Sequence, residues 1–151
     1  MRKTERARDA AFAMQVFRDS TYVTLSLVTP DGKPYAVPVN AVTDGQAFYF
    51  HCAGEGAKLD ILRHNPAVCL SAVSYAAIVP EQLTTLYRSA VVKGTAEILT
   101  DLSEKAYALR LITAFYASDY VAMLDTRADC AQRAAIVKIT PAEITGKEGL
   151  D

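Results

Sequence analysis

Apolar and polar residues alternate along several stretches of the chain, and turn-forming residues separate these stretches. Residues 21–28, 34–42 and 46–52 each favour a β-strand, and the intervening T-P-D-G-K and T-D-G sequences are typical of tight turns. Short turns join antiparallel neighbours, so the pattern predicts a β-meander. Pro38 cannot donate a ladder hydrogen bond, and we expect it at a sheet edge or a bulge.

Two longer β-like runs follow at 67–79 and 87–99, and a last run at 134–140 precedes a polar tail. Gly94 interrupts the second of these runs, which indicates a bulge, a close backbone approach or a plain bend. Six predicted strands with helices packed outside them indicate a mainly β (α+β) fold, an antiparallel six-stranded β-barrel that is split or closed. No linker divides the chain, so we expect one domain over residues 1–151.

Apolar residues at intervals of three and four predict three helices. An amphipathic helix is expected over 4–18, a short one over 57–65 and the clearest one over 102–115. Asp101 or Ser103 can cap the last helix. The buried face predicted for that helix consists of Leu102, Ala106, Leu109, Ile112 and Phe115.

The composition excludes several functional classes. Apolar residues make up 51% and charged residues 22% of 151 residues, a balance typical of a globular protein. The net charge of −1 gives no basic field for nucleic acid or for an anionic membrane, and no apolar run is long enough to span a bilayer. The three cysteines are odd in number and widely spaced, and no secretion signal is recognisable, so we expect free thiols in a reducing cytoplasm.

A strand, a glycine-containing turn and a helix meet at residues 52–58. The dinucleotide pattern G-x-G-x-x-G and the P-loop pattern both fail there, and the preceding strands form hairpins rather than βαβ units. A helix that begins near Ala57 nevertheless directs free N–H groups at the turn, and Lys58 adds a positive charge. Gly54 and Gly56 would let a ligand approach the backbone. These residues alone leave two interpretations open, a phosphate site or a solvated loop.

His51 lies on the strand face opposite to Phe48 and Phe50. It is either a histidine held by hydrogen bonds near a sheet end or a functional side chain. A metal site is not expected, because His64 lies at the end of the next helix and Cys52 faces away from His51. The same alternation of faces excludes a cysteine–histidine catalytic pair.

Three motifs occur in a fixed order along the chain: G-x-P-Y-x-x-P-V at 32–39, Y-F-H-x-A-x-x-G-x-K at 49–58, and Y-x-S-x-x-x-x-G at 87–94. With this order and spacing the chain resembles the pyridoxamine 5′-phosphate oxidase-like flavoproteins, and most of all their nitroimidazole-resistance branch. The resemblance extends over nearly the whole chain. It implies an FMN-binding split barrel that forms a homodimer, with flavin sites between the two subunits.

The resemblance also implies roles for particular residues. Lys58 would contact the FMN phosphate, the backbone from Val37 to Asn40 would lie along the flavin ring, and His51 would face the ring or the substrate. Ser89 matches a family serine near the cofactor. The predicted catalytic residue is His51, and the predicted cofactor-binding residues are Val37, Pro38, Val39, Asn40, Phe50, His51, Cys52, Gly56, Lys58 and Ser89.

The chain departs from the vitamin B6 phosphate oxidases at two places. Ala57 stands where those enzymes usually carry arginine, and the C-terminal segment lacks their substrate-binding arginine and histidine. The predicted function is therefore a cytoplasmic FMN-dependent oxidoreductase acting on a small oxidised acceptor, with nitroaromatics as one class. The alternatives are a non-catalytic flavin carrier or sensor, and a haem-handling split barrel in which His51 or His64 binds iron.

Overall fold

The computed structural model describes residues 4–126 and 129–150. Within these ranges most of the strand residues lie in a few long strands, as the alternating sequence pattern predicts. The strands are β1 (Ala7–Arg8), β2 (Val23–Val28), β3 (Pro34–Val39), β4 (Val42–Thr43), β5 (Phe48–Cys52), β6 (Ala67–Val79), β7 (Thr84–Ile98) and β8 (Ala135–Gly149).

All the strand pairs are antiparallel, and the order across the sheet is β3-β2-β6-β7-β8-β5-β4, with β1 on β8. The predicted antiparallel split barrel is confirmed, and the sheet is open rather than closed. Over the residues described it has eight strands instead of six, because β1 and β4 are two residues long and too short to show alternation. Pro38 lies in the edge strand β3, where its missing N–H costs no ladder bond.

The described residues include five helices, which pack on the sheet or follow one another after β7. None of the helices in these ranges combines the length and the apolar composition needed to cross a membrane. The helices are α1 (Ala10–Asp19), α2 (Ala57–His64), α3 (Leu102–Tyr116), α4 (Val121–Asp125) and α5 (Asp129–Arg133).

The first helix begins at Ala10, so the predicted start at residue 4 is wrong. The Asp9 side chain accepts a hydrogen bond of 2.8 Å from the Phe12 amide and caps the helix there. Residues before the cap form a 3₁₀ turn, Thr4–Arg6, and strand β1. The Asp9 cap therefore sets the start of the helix, although the apolar spacing extends further towards the N-terminus.

The buried face of α3 also differs from the predicted one. Lys105, Ala108 and Ile112 are buried, whereas Leu102 and Phe115 are 52% and 43% exposed. Ala108 lies in a cluster with Val42, Tyr49 and Ile136, and its small side chain lets the helix approach the sheet closely. Ile112 is buried as predicted and Leu109 is partly buried against the same cluster, whereas Leu102 and Phe115 remain at the surface.

The segment predicted as a polar tail is the second half of β8, which pairs with β7 up to Gly149. A register shift lies at Lys93 and Gly94, and a Cβ at Gly94 would collide with the Thr140 carbonyl oxygen. Gly94 thus marks a close backbone approach at an irregular point of the ladder. Polar residues in the second half of β8 interrupt the apolar pattern, and for this reason the sequence did not predict that half of the strand.

Strand β5 separates two clusters of buried side chains. Phe48 and Phe50 are fully buried in the main core, which also contains Phe17 of α1 and Leu59 of α2. Tyr49 points to the other face and packs under α3. The predicted alternation along β5 is therefore confirmed, and it directs the next residue, His51, away from the main core.

Candidate functional site

A cavity of about 540 Å³ lies at the end of β5. Its size is within the range of small-molecule and cofactor sites, roughly 300–1,000 Å³. Two strand ends, the first turn of α2 and the last turn of α3 surround it. The lining residues are Pro38, Val39, Asn40, His51, Cys52, Ala53, Lys58, Ile112, Thr113, Tyr116 and Ala117.

Strand pairing positions the floor of the cavity. His51 and Cys52 are held opposite Ile136 and Ala135 of β8. The end of β3 is fixed by β2, because Val39 pairs with Val23. His51 is exposed to the cavity, whereas Cys52 is half-buried and also packs against the main core.

The first turn of α2 gives the cavity a positively charged end. Gly56 caps this helix with φ = +132°, a conformation that favours glycine, and it offers no side-chain hydrogen bond to the first turn. Lys58 lies in that turn and is half-buried at the cavity. The acidic residue of the same turn, Asp60, is paired with Arg63 at 2.9 Å. Lys58 and the helix dipole therefore favour an anion here.

The charge of Lys58 affects the pKa of the Cys52 thiol. Partial burial raises the pKa of Cys52 above its usual value, and the nearby Lys58 ammonium opposes that rise. The thiol and the ammonium therefore lie close enough to interact inside the cavity. The net effect on the pKa of Cys52 is upward, because burial outweighs the lysine.

The last turn of α3 forms the wall opposite to the strands. The Tyr116 hydroxyl donates a hydrogen bond of 3.1 Å to the Thr21 carbonyl oxygen. Burial raises the pKa of Tyr116, and a hydrogen bond from the Asn40 side chain partly offsets that rise. Tyr116 thus links the wall to the loop before β2 and to the residue after β3.

The middle of α3 is held by a second group of polar contacts. The Asp44 carboxylate accepts a hydrogen bond of 3.0 Å from Tyr107, and the Tyr49 hydroxyl lies 3.4 Å from the same oxygen. Burial and the negative charge of Asp44 raise the pKa of Tyr49 to about 12. Backbone amides of the β4–β5 turn satisfy the other oxygen of Asp44. These contacts fix α3 above β5.

A model of the family described as pyridoxamine 5′-phosphate oxidase matches residues 9–148. The chain belongs to this family. A search of curated proteins found no match.

Solved structures show the same fold. A candidate 5-nitroimidazole antibiotic resistance protein from Bacteroides thetaiotaomicron is 24% identical, with a TM-score of 0.79, and the match covers 93% of this chain and 84% of that one. The flavocytochrome Anf3 from Azotobacter vinelandii is 20% identical, with a TM-score of 0.84 and coverage of 100% and 72%. A FAD and haem binding protein from Mycobacterium smegmatis is 20% identical, with a TM-score of 0.79 and coverage of 95% and 72%.

The structure of this family member brings six of the ten predicted site residues together. Val37 is half-buried against the main core, and Phe50 is fully buried in it. Gly56 caps α2 beside the cavity. The six that line the cavity are Pro38, Val39, Asn40, His51, Cys52 and Lys58.

Ser89 does not line the cavity of its own chain. It pairs with Lys147 of β8, whereas His51 pairs with Ile136 of the same strand. These partners are eleven residues apart (147 − 136), or roughly 36 Å along a strand at about 3.3 Å per residue. Within one subunit, Ser89 and His51 therefore lie at opposite ends of the ladder that β8 forms with its neighbours.

Sequence reasoning missed the contribution of α3 to the cavity. Ile112, Thr113, Tyr116 and Ala117 line it, and no local motif distinguishes them from other helical residues. The length of the predicted helix after β7 is the sequence signal that could have indicated this wall, because a helix of that length reaches from the end of β7 to the cavity at the end of β5. Over the residues described, no group of three or more His, Cys, Asp or Glu side chains is arranged to hold a metal ion.

The electrostatic effect of Lys58 on Cys52 can be tested by alkylation. In a Cys69→Ser, Cys130→Ser background, the rate of reaction of Cys52 with iodoacetamide should rise with pH, because only the thiolate reacts. Lys58→Ala removes the charge that opposes the burial effect, so the rate profile should move to higher pH. Lys93→Ala, which acts on Cys69 instead, is the matched control and should leave the profile in place. Equal profiles for all three proteins would show that Lys58 does not act on the thiol.

Proposed function

We propose that the cavity binds a flavin, FMN in the first instance, and that the protein is a flavin-dependent oxidoreductase acting on a small oxidised acceptor. The observation that carries this proposal is the convergence of Lys58, the free first turn of α2 and His51 on one cavity. An anion-binding end and a titratable side chain are the two features that such a flavoprotein needs from its own residues. Membership of the family and its flavin-binding structural relatives support the proposal.

The lining fits the two chemical parts of FMN. A phosphate suits the first turn of α2, where the backbone N–H groups and the Lys58 ammonium would hold it. A flat ring suits the rest of the cavity, where Val39 and Ile112 provide apolar surface. Backbone groups near Val39 would hydrogen-bond the polar edge of the ring. With Ala57 in place of an arginine, Lys58 would be the main side-chain partner of the phosphate.

When bound, the flavin ring supplies the electron transfer. The chain's own residues would orient that ring and exclude water from its α3 side. His51 is exposed in the cavity and would deliver a proton to the acceptor, since histidine ordinarily changes charge near neutral pH. The proposed cellular setting is the reducing cytoplasm, in keeping with the free thiols of Cys52 and Cys69.

Nitroaromatic compounds are the acceptor class to assay first. The related structure from Bacteroides thetaiotaomicron is described as a candidate 5-nitroimidazole antibiotic resistance protein. A nitroaromatic acceptor would stack on the exposed face of the bound flavin ring, where its nitro group could take a proton from His51. The test is to reconstitute the protein with FMN, reduce it, and follow its reoxidation by a nitroimidazole under anaerobic conditions.

A haem-handling protein is the second candidate. Two structural relatives are described as a flavocytochrome and as a FAD and haem binding protein. His51 is an exposed imidazole at the cavity and would be the iron ligand in that case. The absorption spectrum of the purified protein separates the two, because haem gives an intense Soret band, which a flavin lacks. Bound flavin without turnover would instead indicate a carrier or sensor.

We also propose that the protein is a homodimer in which the flavin sites lie between subunits. Ser89 does not line the cavity of its own chain, and a second copy would bring it to a cavity. The hairpin of β6 and β7 carries apolar side chains that are open to solvent, with Ile78 78% and Leu83 96% exposed. A second subunit would cover this surface.

The assembly is tested by the mass in solution. Light scattering on the FMN-loaded protein should give twice the chain mass of 16.4 kDa near neutral pH. The measurement should be repeated at several concentrations, because a weak dimer dissociates on dilution. A particle of one chain mass that retains FMN would contradict a site between subunits.

Lys58→Ala tests the phosphate contact. A hydrogen bond to a charged group contributes roughly 1.5–3 kcal/mol, so FMN affinity should fall by roughly ten- to a hundredfold. Riboflavin has no phosphate, and its affinity should hardly change. The helix should remain, because alanine is a good helix former.

Fluorescence titrations with FMN and riboflavin on wild type and variant give the comparison. Lys93→Ala is the matched control, since that lysine lies on β7 and pairs with Glu143 at 3.0 Å. Equal losses for both ligands, or no loss for either, would mean that Lys58 does not hold the phosphate.

His51→Gln tests the proton donor. Cofactor content should stay the same, while turnover should fall by about 10²–10⁴-fold, the usual effect of losing a general acid. His64→Gln is the control, because His64 is exposed at the end of α2. Steady-state rates and the flavin-to-protein ratio are measured together. A His51 variant with normal turnover would exclude the role, and a variant that loses its fold without a separate rate effect would indicate a structural histidine.

A further inference from the structure

A second cavity of about 340 Å³, the hydroxyl-lined cavity, lies between the end of α1 and the strands β2 and β6. Its volume falls at the lower end of the range of small-molecule sites. It is distinct from the larger cavity at the end of β5, the flavin cavity of the proposed function. Six of the nine described residues that line it carry a hydroxyl group, namely Ser20, Thr21, Tyr22, Thr24, Ser71 and Ser74.

The hydroxyl-lined cavity adjoins the flavin cavity at two places. Thr24 of its lining pairs directly with Pro38 of the flavin cavity, and on its other side Thr24 pairs with Ser71. Residues directly opposite one another in a ladder point to the same face, and adjacent strands lie about 4.8 Å apart. At the second place, the Tyr116 hydroxyl in the flavin cavity donates a hydrogen bond of 3.1 Å to the Thr21 carbonyl oxygen. One strand spacing therefore separates the two cavities.

Three half-buried hydroxyls of the lining, those of Thr24, Ser71 and Ser74, have no hydrogen-bond partner among the residues that the structure describes. A register shift between Val73 and Tyr75 leaves Ser74 at a bulge of β6, where its side chain joins the lining. A hydroxyl can both donate and accept, so these three groups offer hydrogen bonds to a polar ligand.

Asp19 gives the hydroxyl-lined cavity a negative charge, and within the described part of the chain it is the only charged residue of the lining. It is the last residue of α1, where the helix dipole adds to the negative potential. Its carboxylate accepts a hydrogen bond of 2.8 Å from the neutral Gln15 side chain, and no cationic side chain of the described residues forms an ion pair with it. Arg88 lines an adjoining cavity, but Glu148 pairs with it at 2.8 Å. The hydroxyl-lined cavity therefore favours a cationic or neutral polar group over an anion.

We propose that the hydroxyl-lined cavity binds a side arm of the acceptor, and that it selects arms with an amine or a hydroxyl over arms with a carboxylate or a phosphate. This inference rests on the proposed function and names the substrate class of the same site. The reacting ring of the acceptor would lie on the bound flavin, and its arm would pass over Pro38 and Thr24 to the free hydroxyls. Pro38 is exposed at this crossing.

The experiment measures the binding of four 5-nitroimidazoles that differ only in the group on ring nitrogen N1: methyl, 3-aminopropyl, 3-hydroxypropyl and 2-carboxyethyl. Calorimetric titrations on the oxidised, FMN-loaded protein give affinities without turnover. The aminopropyl compound should bind about two- to fivefold more tightly than the hydroxypropyl compound, and the carboxyethyl compound about two- to fivefold more weakly, the usual effect of one exposed charge pair. The methyl compound, which has no arm, should bind more weakly than the hydroxypropyl compound.

Asp19→Asn keeps the size of the side chain and removes its charge. In this variant the affinities of the aminopropyl and carboxyethyl compounds should approach that of the hydroxypropyl compound, while that of the methyl compound stays the same. Higher ionic strength should narrow the same differences in the wild type, because salt screens exposed charges. Glu97→Gln is the matched control, since Glu97 is exposed on β7 and is in the lining of neither cavity.

The outcomes separate this inference from the proposed function. A protein that binds no flavin, or a reduced FMN-loaded protein that none of the four compounds reoxidises, would refute the proposed function and this inference with it. Reoxidation by all four compounds, with equal affinities in the wild type, would refute the inference alone. Differences in affinity that persist in Asp19→Asn would also overturn it, because the selecting charge would then lie elsewhere.

Discussion

The pairing of β5 with β8 is the constraint on which the cavity depends. Five residues of β5 are matched one to one with β8, and six of the ten paired residues are buried. This pairing fixes which face of β5 each residue presents, because a shift of one residue would exchange the faces. Phe50 is thereby committed to the core and His51 to the cavity. Strand β8 also pairs with β7. Its register therefore fixes both the position of the cavity and the place of Ser89 in the sheet.

The charged end of the cavity lies just after the end of β5. Where β5 ends, the chain must turn into α2, and Gly56 adopts a positive φ that lets it do so within four residues of Cys52. A glycine cap carries no side chain to occupy the first helical turn, so that turn is open to a ligand. Asp60 forms an ion pair with Arg63, so its negative charge repels an anion at Lys58 less strongly. Loop geometry and charge thus act together without any dinucleotide-binding motif.

Local patterns predicted most of the fold and about half of the site. The meander, the turn before α2 and the edge position of Pro38 follow from signals within a few residues of each other. The second half of β8 was missed because its exposed face is polar. The buried face of α3 was predicted correctly at Ile112 but not at Ala108, which packs against the sheet although it is small. Tyr116 carries no local signal at all, since its role depends on Thr21, which is 95 residues away in the chain.

The wall of the cavity differs in kind from its floor. The floor consists of paired strands, in which the backbone ladder fixes position whatever the outward side chains are. The wall is one helix, held to the sheet by hydroxyl contacts at Tyr107 and Tyr116 and by a small apolar cluster. Substitutions there can alter the shape and polarity of the cavity without breaking a strand. The shape and polarity of this cavity are therefore expected to respond more to substitutions in the helix after β7 than to substitutions on the outward faces of the strands.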